Sequence, residues 1–200
     1  GKSYRFALGA ERSRHARRLA QATGVTPFVL LLALFQVLLH RYSGQDEIVI
    51  GSPTTGRGDA EFGGVAGYFV NPVVLRGNLG DNPTFTAFVK RIAQTAVNAL
   101  EHQDFPFPLL VERLQPPRDP AYAPLFQVEF VYQKPQKSTT SIDWLGWSSE
   151  AGRRVTWGGM EIEFFDQSQQ EGQFDLELEM LDTGEELIGA FKYNTDLFER

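Results

Sequence analysis

A twelve-residue apolar block, Phe28 to Leu39, broken only by Gln36, sets the strongest limit on how this chain can fold. It is too short to span a bilayer as a helix, which takes about 20 apolar residues. A helix apolar on all sides has to be buried in a core instead. The flanks agree with a helix. Thr26-Pro27 is an N-cap followed by proline at the first helical position, and Ser43-Gly44 closes the segment after about Tyr42.

The other elements follow from local pattern. Ser3–Leu8 alternates as a short strand, and Ala10–Thr23 has helix composition and stops at Gly24. Glu47–Gly51 reads as a short buried strand ended by Pro53, and Ser52–Ala66 is a glycine-rich loop without periodicity. Tyr68–Arg76 reads as a strand whose internal Pro72 requires a sheet edge or a bulge. A second helix start at Asp81-Asn82-Pro83-Thr84 leads a helix to about Glu101, with Phe85, Phe88, Val89, Ile92 and Ala96 at helical spacing. Leu109–Leu114 is a short helix after Pro106 and Pro108, and Leu125–Tyr132 a strand. Gln133–Arg154 is a polar excursion containing Trp144 and Trp147, which read as a surface cover or as loop anchors. Strands follow near Val155–Trp157, Glu161–Phe165, Phe174–Leu181 and Glu186–Tyr193. In the third of these, apolar Phe174, Leu176, Leu178 and Met180 alternate with Asp175, Glu177 and Glu179. Helices first and strands mostly last predict an α+β fold, a mixed sheet packed by helices, rather than a strict βαβ repeat.

Composition removes several function classes. With 19 basic against 25 acidic residues, the net charge of -6 provides no global positive field for nucleic acid. The absence of cysteine excludes disulfides, thiolate zinc sites and cysteine nucleophiles. It also makes a cytoplasmic location the default. His15, His40 and His102 are scattered and form no i, i+4 ligand pair.

Four stretches carry candidate chemistry. Gly51 to Gly58 follows a strand with P-loop glycine spacing, but it fails chemically. Arg57 stands at the phosphate-lysine position, Gly58 at the magnesium-binding hydroxyl, and Pro53 removes a cradle N–H. What remains is a flexible turn, or a loop holding Arg57 at the end of a strand, where sites often sit. Arg14, Arg17 and Arg18 share one helix face, either solvated or docked on an acidic partner. Asn71 lies in an apolar strand and needs hydrogen-bond partners, as a bulge residue or a site residue. His102-Gln103-Asp104 is a polar helix terminus or a set of substrate-facing groups; sequence alone makes no triad of it.

Together these stretches resemble the C-terminal half of a condensation domain of a nonribosomal peptide synthetase. Ile48-Val49-Ile50-Gly51-Ser52-Pro53-Thr54-Thr55-Gly56-Arg57 resembles the family's Ile-Gly-x-Pro-x-x-x-Arg motif. Gly67 to Arg76 resembles its Phe-Val-Asn-Thr-Leu-x-Leu-Arg motif, with Pro72 where threonine is common. His102-Gln103-Asp104-Phe105-Pro106-Phe107 resembles its His-Gln-Asp-x-Pro-Phe motif. Phe174-Asp175-Leu176 and Tyr193 to Phe198 follow its closing strands. The likeness covers essentially the whole chain.

The resemblance implies one chloramphenicol-acetyltransferase-like lobe, residues 1–200, with the N-terminal lobe absent and a final helix cut at Arg200. It implies amide formation: an acceptor amine on one carrier protein's phosphopantetheine arm attacks the donor thioester on another. The family's His-His-x-x-x-Asp-Gly motif lies in the N-terminal lobe and does not occur here, since no two histidines are adjacent. The chain is therefore expected to be inactive alone, with no catalytic residue of its own, and to form one tunnel wall. Pro53, Arg57, Asn71, Gln103 and Asp104 are expected to line the tunnel or position substrate. Gly51, Gly56, His102 and Pro106 are expected to be structural, and Arg14, Arg17 and Arg18 to dock a carrier protein. No metal or directly bound cofactor is implied, since substrates arrive on phosphopantetheine arms. The implied partners are the N-terminal lobe, peptidyl carrier protein domains and a neighbouring adenylation domain, without nucleic acid or membrane. An exposed tunnel face implies weak self-association. Gln133–Arg154 or Asp166–Gln173 is expected to reach the other lobe. The alternatives are a superfamily member that does not condense (epimerising or partner-recruiting) and a carrier-docking scaffold.

Overall fold

Thr26 opens the central helix as its sequence predicts: its hydroxyl oxygen accepts a hydrogen bond from the Val29 N–H, and Gly44, at φ 71°, closes the helix. The computed structural model describes residues 1–58, 61, 64–117, 119–120, 122–134, 154–157, 159–163 and 172–199. Trp144, Trp147 and most of the two expected excursions lie outside these residues.

The elements run β1 (Lys2–Ala7), α1 (Gly9–Thr23), α2 (Pro27–Ser43), β2 (Glu47–Thr54), β3 (Asn71–Asn78), α3 (Phe85–Glu101), α4 (Phe107–Leu114), β4 (Val128–Gln133), β5 (Arg154–Trp157), β6 (Met160–Glu163), β7 (Leu176–Asp182) and β8 (Leu187–Tyr193). Six strands form one sheet in the order β1-β8-β7-β4-β2-β3, and β5 pairs with β6 separately. The large sheet is mixed. β4 runs parallel to both β2 and β7, while the other neighbours are antiparallel. The expected α+β class, a mixed sheet packed by helices, is what the chain adopts.

Strand alternation assigns the two faces of the sheet. Phe6, Ile50, Leu75, Phe130, Leu178 and Leu187 point to the side where α1, α2 and α3 pack, in one apolar cluster with Leu30, Leu32, Phe88 and Ile92. Phe35 of α2 is the hub of an aromatic chain, touching Phe130 of β4 and Phe191 of β8, which stacks on Phe6 of β1. The amphipathic α3 lies mainly on β3, and α1 on β8. Ser13 docks α1, donating to the Gly9 carbonyl and accepting from the buried Leu187 N–H. No single helix among the described residues is long and apolar enough to cross a membrane.

Several boundaries differ from the local reading, each because a distant partner decides it. β2 does not stop at Pro53 but continues to Thr54, with Pro53 directly opposite Pro72 of β3. An antiparallel ladder tolerates facing prolines only at a pair whose N–H positions point away from each other. For Pro72 that direction is the open edge of the sheet, as its sequence requires. β3 starts at Asn71 rather than Tyr68, α4 at Phe107 rather than Leu109, and β4 at Val128 rather than Leu125, whose φ of 70° is incompatible with a strand. Asn194 to Phe198 forms a single turn, with the Asn194 carbonyl accepting from Leu197 and Phe198.

The face away from the helices carries an unusual charge set. Glu129 of β4 stands directly opposite Glu177 of β7, and Lys192 of β8 bonds both Glu177 and Glu179 at 2.8 Å. The alternating glutamates of β7 are not on an open surface: the side chains of Glu177 and Glu179 are 18% and 13% exposed. Burial raises the Glu129 carboxyl to about 7, helped by the Glu177 charge and opposed by Lys192. Burial also raises Glu179, against its bond to Lys192. Lys192 is raised because its two carboxylate bonds outweigh its own burial.

Candidate functional site

The expected site residues converge where β2 ends and β3 begins. Gly51 of β2 gives room to an aromatic ring: a Cβ there would lie 2.1 Å from Phe126. Phe126 is buried and packs on Phe107 of α4 and on Phe174, with ring centroids 5.5 and 5.2 Å away. Gly51→Ala should therefore overpack this junction and cost about 1–3 kcal/mol. Thermal unfolding checks this, and an unchanged Tm would mean the Phe126 ring yields freely.

Past Pro53 the glycine-rich loop folds around Arg57. Gly56 adopts φ 60°, and a Cβ there would meet the Phe69 carbonyl oxygen at 1.8 Å, so position 56 accepts only glycine. The half-buried Arg57 donates to the carbonyls of Val65 (2.8 Å) and Gly67 (3.2 Å), and its guanidinium lies over the Phe69 ring at 4.5 Å. Such a stack holds the loop as well as the charge.

Asn71, the first residue of β3, faces Thr54, whose hydroxyl donates to the Asn71 carbonyl at 2.7 Å. Its side-chain amide reaches the turn between α3 and α4. Nδ2 donates to the carbonyls of Gln103 (2.7 Å) and Phe105 (2.8 Å), and Oδ1 accepts from the Phe107 N–H (2.9 Å). His102 is the exposed C-cap of α3, and its carbonyl accepts from Phe105 N–H. Pro106 starts α4, its carbonyl accepting from Leu109 and Leu110. Between these anchors sit half-buried Gln103 and exposed Asp104, whose Oδ1 lies 3.8 Å from where a side chain at Gly58 would begin. Pro53, Arg57, Asn71, Gln103 and Asp104 thus share one end of the sheet with Gly51, Gly56, His102 and Pro106.

The basic helix does not join them. α1 packs by β8, four strands from β3. Arg14 and Arg18 are exposed, but Arg17 turns inward, bonding Asp182 at 2.6 Å and the Glu185 carbonyl at 3.3 Å. The shared face read from i, i+3 and i+4 spacing is broken at Arg17, because a buried carboxylate claims its guanidinium.

A family model described as "Condensation domain" matches residues 1–200. The chain belongs to the condensation-domain family. A linear gramicidin synthase of Brevibacillus parabrevis is 40% identical over 198 residues, which cover 99% of this chain and 4% of that protein. Chondramide synthase cmdD of Chondromyces crocatus is 39% identical over 194 residues, 97% of this chain and 5% of the relative. Among solved structures, holo-AB3403, a four-domain nonribosomal peptide synthetase bound to AMP and glycine, superimposes with a TM-score of 0.86 at 30% identity. That match covers all of this chain and 15% of the other. This condensation-family chain therefore spans a small part of the synthetases it matches.

Three contributors escaped the sequence reading. Thr54 caps the Asn71 carbonyl, Phe69 carries Arg57, and Phe126 fills the space that Gly51 leaves. Their partners lie 12 to 75 residues away, where local pattern carries no signal. Only Phe69 stood where a glance along the sequence reaches it, two residues after Gly67. Among the described residues, no three potential metal ligands converge.

Proposed function

We propose that residues 1–200 form the C-terminal lobe of an amide-forming condensation domain in nonribosomal peptide synthesis and supply one wall of its tunnel. The observation that carries this reading is the joining of three separated motif segments at one end of the sheet: the Gly56–Arg57 loop, Asn71, and the turn from His102 to Phe107. In this reading Gln103 and Asp104 face the tunnel, while Pro53, Arg57 and Asn71 shape its wall. The acceptor amine attacks the donor thioester carbonyl, the amide bond forms, and the carrier's thiol leaves. The histidine that assists this transfer comes from a His-His-x-x-x-Asp-Gly segment outside residues 1–200, because this chain has no adjacent histidines. Carrier proteins, the N-terminal lobe and an adenylation domain are the partners, in the cytoplasm. Of the three arginines expected to dock a carrier, Arg14 and Arg18 remain exposed on α1.

A partner-recruiting role has less support. The teicoplanin X-domain in complex with OxyB superimposes with a TM-score of 0.78, but at 21% identity that likeness concerns the fold alone. The linear gramicidin synthase is nearly twice as similar in sequence. The test uses two carrier-loaded thioesters and detects amide product. The intact condensation domain of the parent synthetase should form product, and residues 1–200, confirmed folded by circular dichroism, should form none. Product from residues 1–200 alone would overturn the proposal.

A further inference from the structure

We infer that Asn71 is a positioning residue, a polar splint that ties the start of β3 to the α3–α4 turn and caps α4 from another element. The inference rests on the tunnel-wall reading above and adds to it how the wall keeps its shape.

Helix α4 begins at a cost. Its first N–H groups have no partner within the helix, and its N-cap, Pro106, has no side-chain oxygen to offer them. The Phe107 N–H instead finds Asn71 Oδ1 at 2.9 Å, 36 residues back along the chain. The same amide's nitrogen bridges the carbonyls of Gln103 and Phe105. A primary amide offers two N–H donors and one carbonyl oxygen; both donors are committed to backbone carbonyls of one turn, and the oxygen accepts from the same turn. No donor remains for a substrate.

The amide is also specific. A carboxylate at 71 would keep an acceptor for Phe107 but set an oxygen against two carbonyl oxygens. Alanine would remove all three bonds. Serine is too short to span both carbonyls. The bonds anchor Gln103 and bracket Asp104 on both sides. They therefore set the gap between Asp104 and Gly58, where turn and glycine-rich loop approach each other. Thr54 holds the splint from below through the Asn71 carbonyl.

The experiment uses the intact synthetase with its carriers and compares wild type, Asn71→Asp and Asn71→Ala. Both variants should lose on the order of tenfold to hundredfold in kcat for condensation, the scale expected when a wall group is misplaced by about an ångström. KM for the carrier-loaded substrates should stay near wild type. Hydrogen exchange at the Phe107 amide should accelerate in both, while the Phe130 amide in the central sheet stays protected. Lowering the pH should restore part of the Asn71→Asp rate relative to Asn71→Ala, because a protonated carboxyl regains one donor. An unchanged kcat would overturn the inference. So would equal acceleration of exchange at Phe107 and Phe130, which would mean general destabilisation. If the wild-type synthetase forms no amide, the functional reading fails, and exchange at Phe107 still decides the role of Asn71.

Discussion

Replacing Asp182 by alanine should lower the folding free energy by about 2–4 kcal/mol and the Tm by roughly 4–16 °C. Asp182 ends β7 and is 4% exposed. Four donors meet its two oxygens: Arg17 Nη2 at 2.6 Å and Nε at 3.5 Å, the Tyr132 hydroxyl at 3.0 Å and the Gly184 N–H at 2.9 Å. The carboxylate thereby fastens α1 to β4, β7 and the β7–β8 turn. Truncation leaves a guanidinium, a phenol and an amide without their acceptor, which is why breaking such a pair costs more than the pair itself contributes. The figure sits at the low end for buried pairs because Arg17 keeps 25% exposure and can recover some hydration. Burial by itself would raise the Asp182 carboxyl, but the Arg17 bond, the Gly184 N–H and the Tyr132 hydroxyl together hold it below the usual range. A lowered folded-state pKa means the stabilisation is present above the unfolded value of about 3.9 and is lost as the pH falls through the folded one. Asp182→Asn should therefore be destabilising at pH 7 and approach wild type in acid. Denaturant titrations at both pH values check this, and a loss under about 0.5 kcal/mol for the alanine variant would remove Asp182 as the fastener.

Arg17 and Asp182 are 165 residues apart, and their pairing marks the limit of what the sequence discloses. Features fixed within one turn of chain were legible. The Thr26 cap, the Gly24 and Gly44 stops and the apolar spacing of α3 all follow from residues a few positions apart. The candidate site was legible as motifs because its three segments are short contiguous runs. What each side chain touches was not. Arg57 read as a loop-held cation, and carbonyls of the following chain, Val65 and Gly67, do hold it, but its stack on Phe69 had no local signal. Asn71 read as a strand residue in need of partners, and those partners lie in a turn 32 to 36 residues on. Pro53 read as a strand stop because local rules do not know that Pro72 faces it. In β7 the period of two sorted glutamates from leucines correctly, but alternation says which residues share a face and nothing about what covers it.

That covered glutamate face yields the other large effect: Glu129→Gln should stabilise the protein above neutral pH and leave it unchanged in acid. Glu129 and Glu177 are directly opposed on neighbouring strands, where like charges repel. Lys192 is committed to Glu177 and Glu179. Arg5 adds a further positive charge near Glu179. Burial first, and then the Glu177 charge, raise Glu129 to about 7. A raised carboxyl reverses the sign that holds for Asp182. The folded state binds a proton that the unfolded state, with a carboxyl near 4.5, has already released. Stability therefore falls as the pH rises from about 4.5 through about 7, and levels off above. Full conversion of that difference gives ~3 kcal/mol, and the partial solvent access of the site reduces it to about 1–2 kcal/mol. Glutamine keeps the shape and the hydrogen-bonding capacity without the charge, so its stability curve should be flat where the wild type's declines. Unfolding midpoints at pH 5 and pH 8 should differ less for Glu129→Gln than for wild type, with the variant ahead at pH 8. Parallel behaviour of the two proteins across that range would mean that Glu129 stays ionised throughout, and that Lys192 and Arg5 neutralise all three carboxylates.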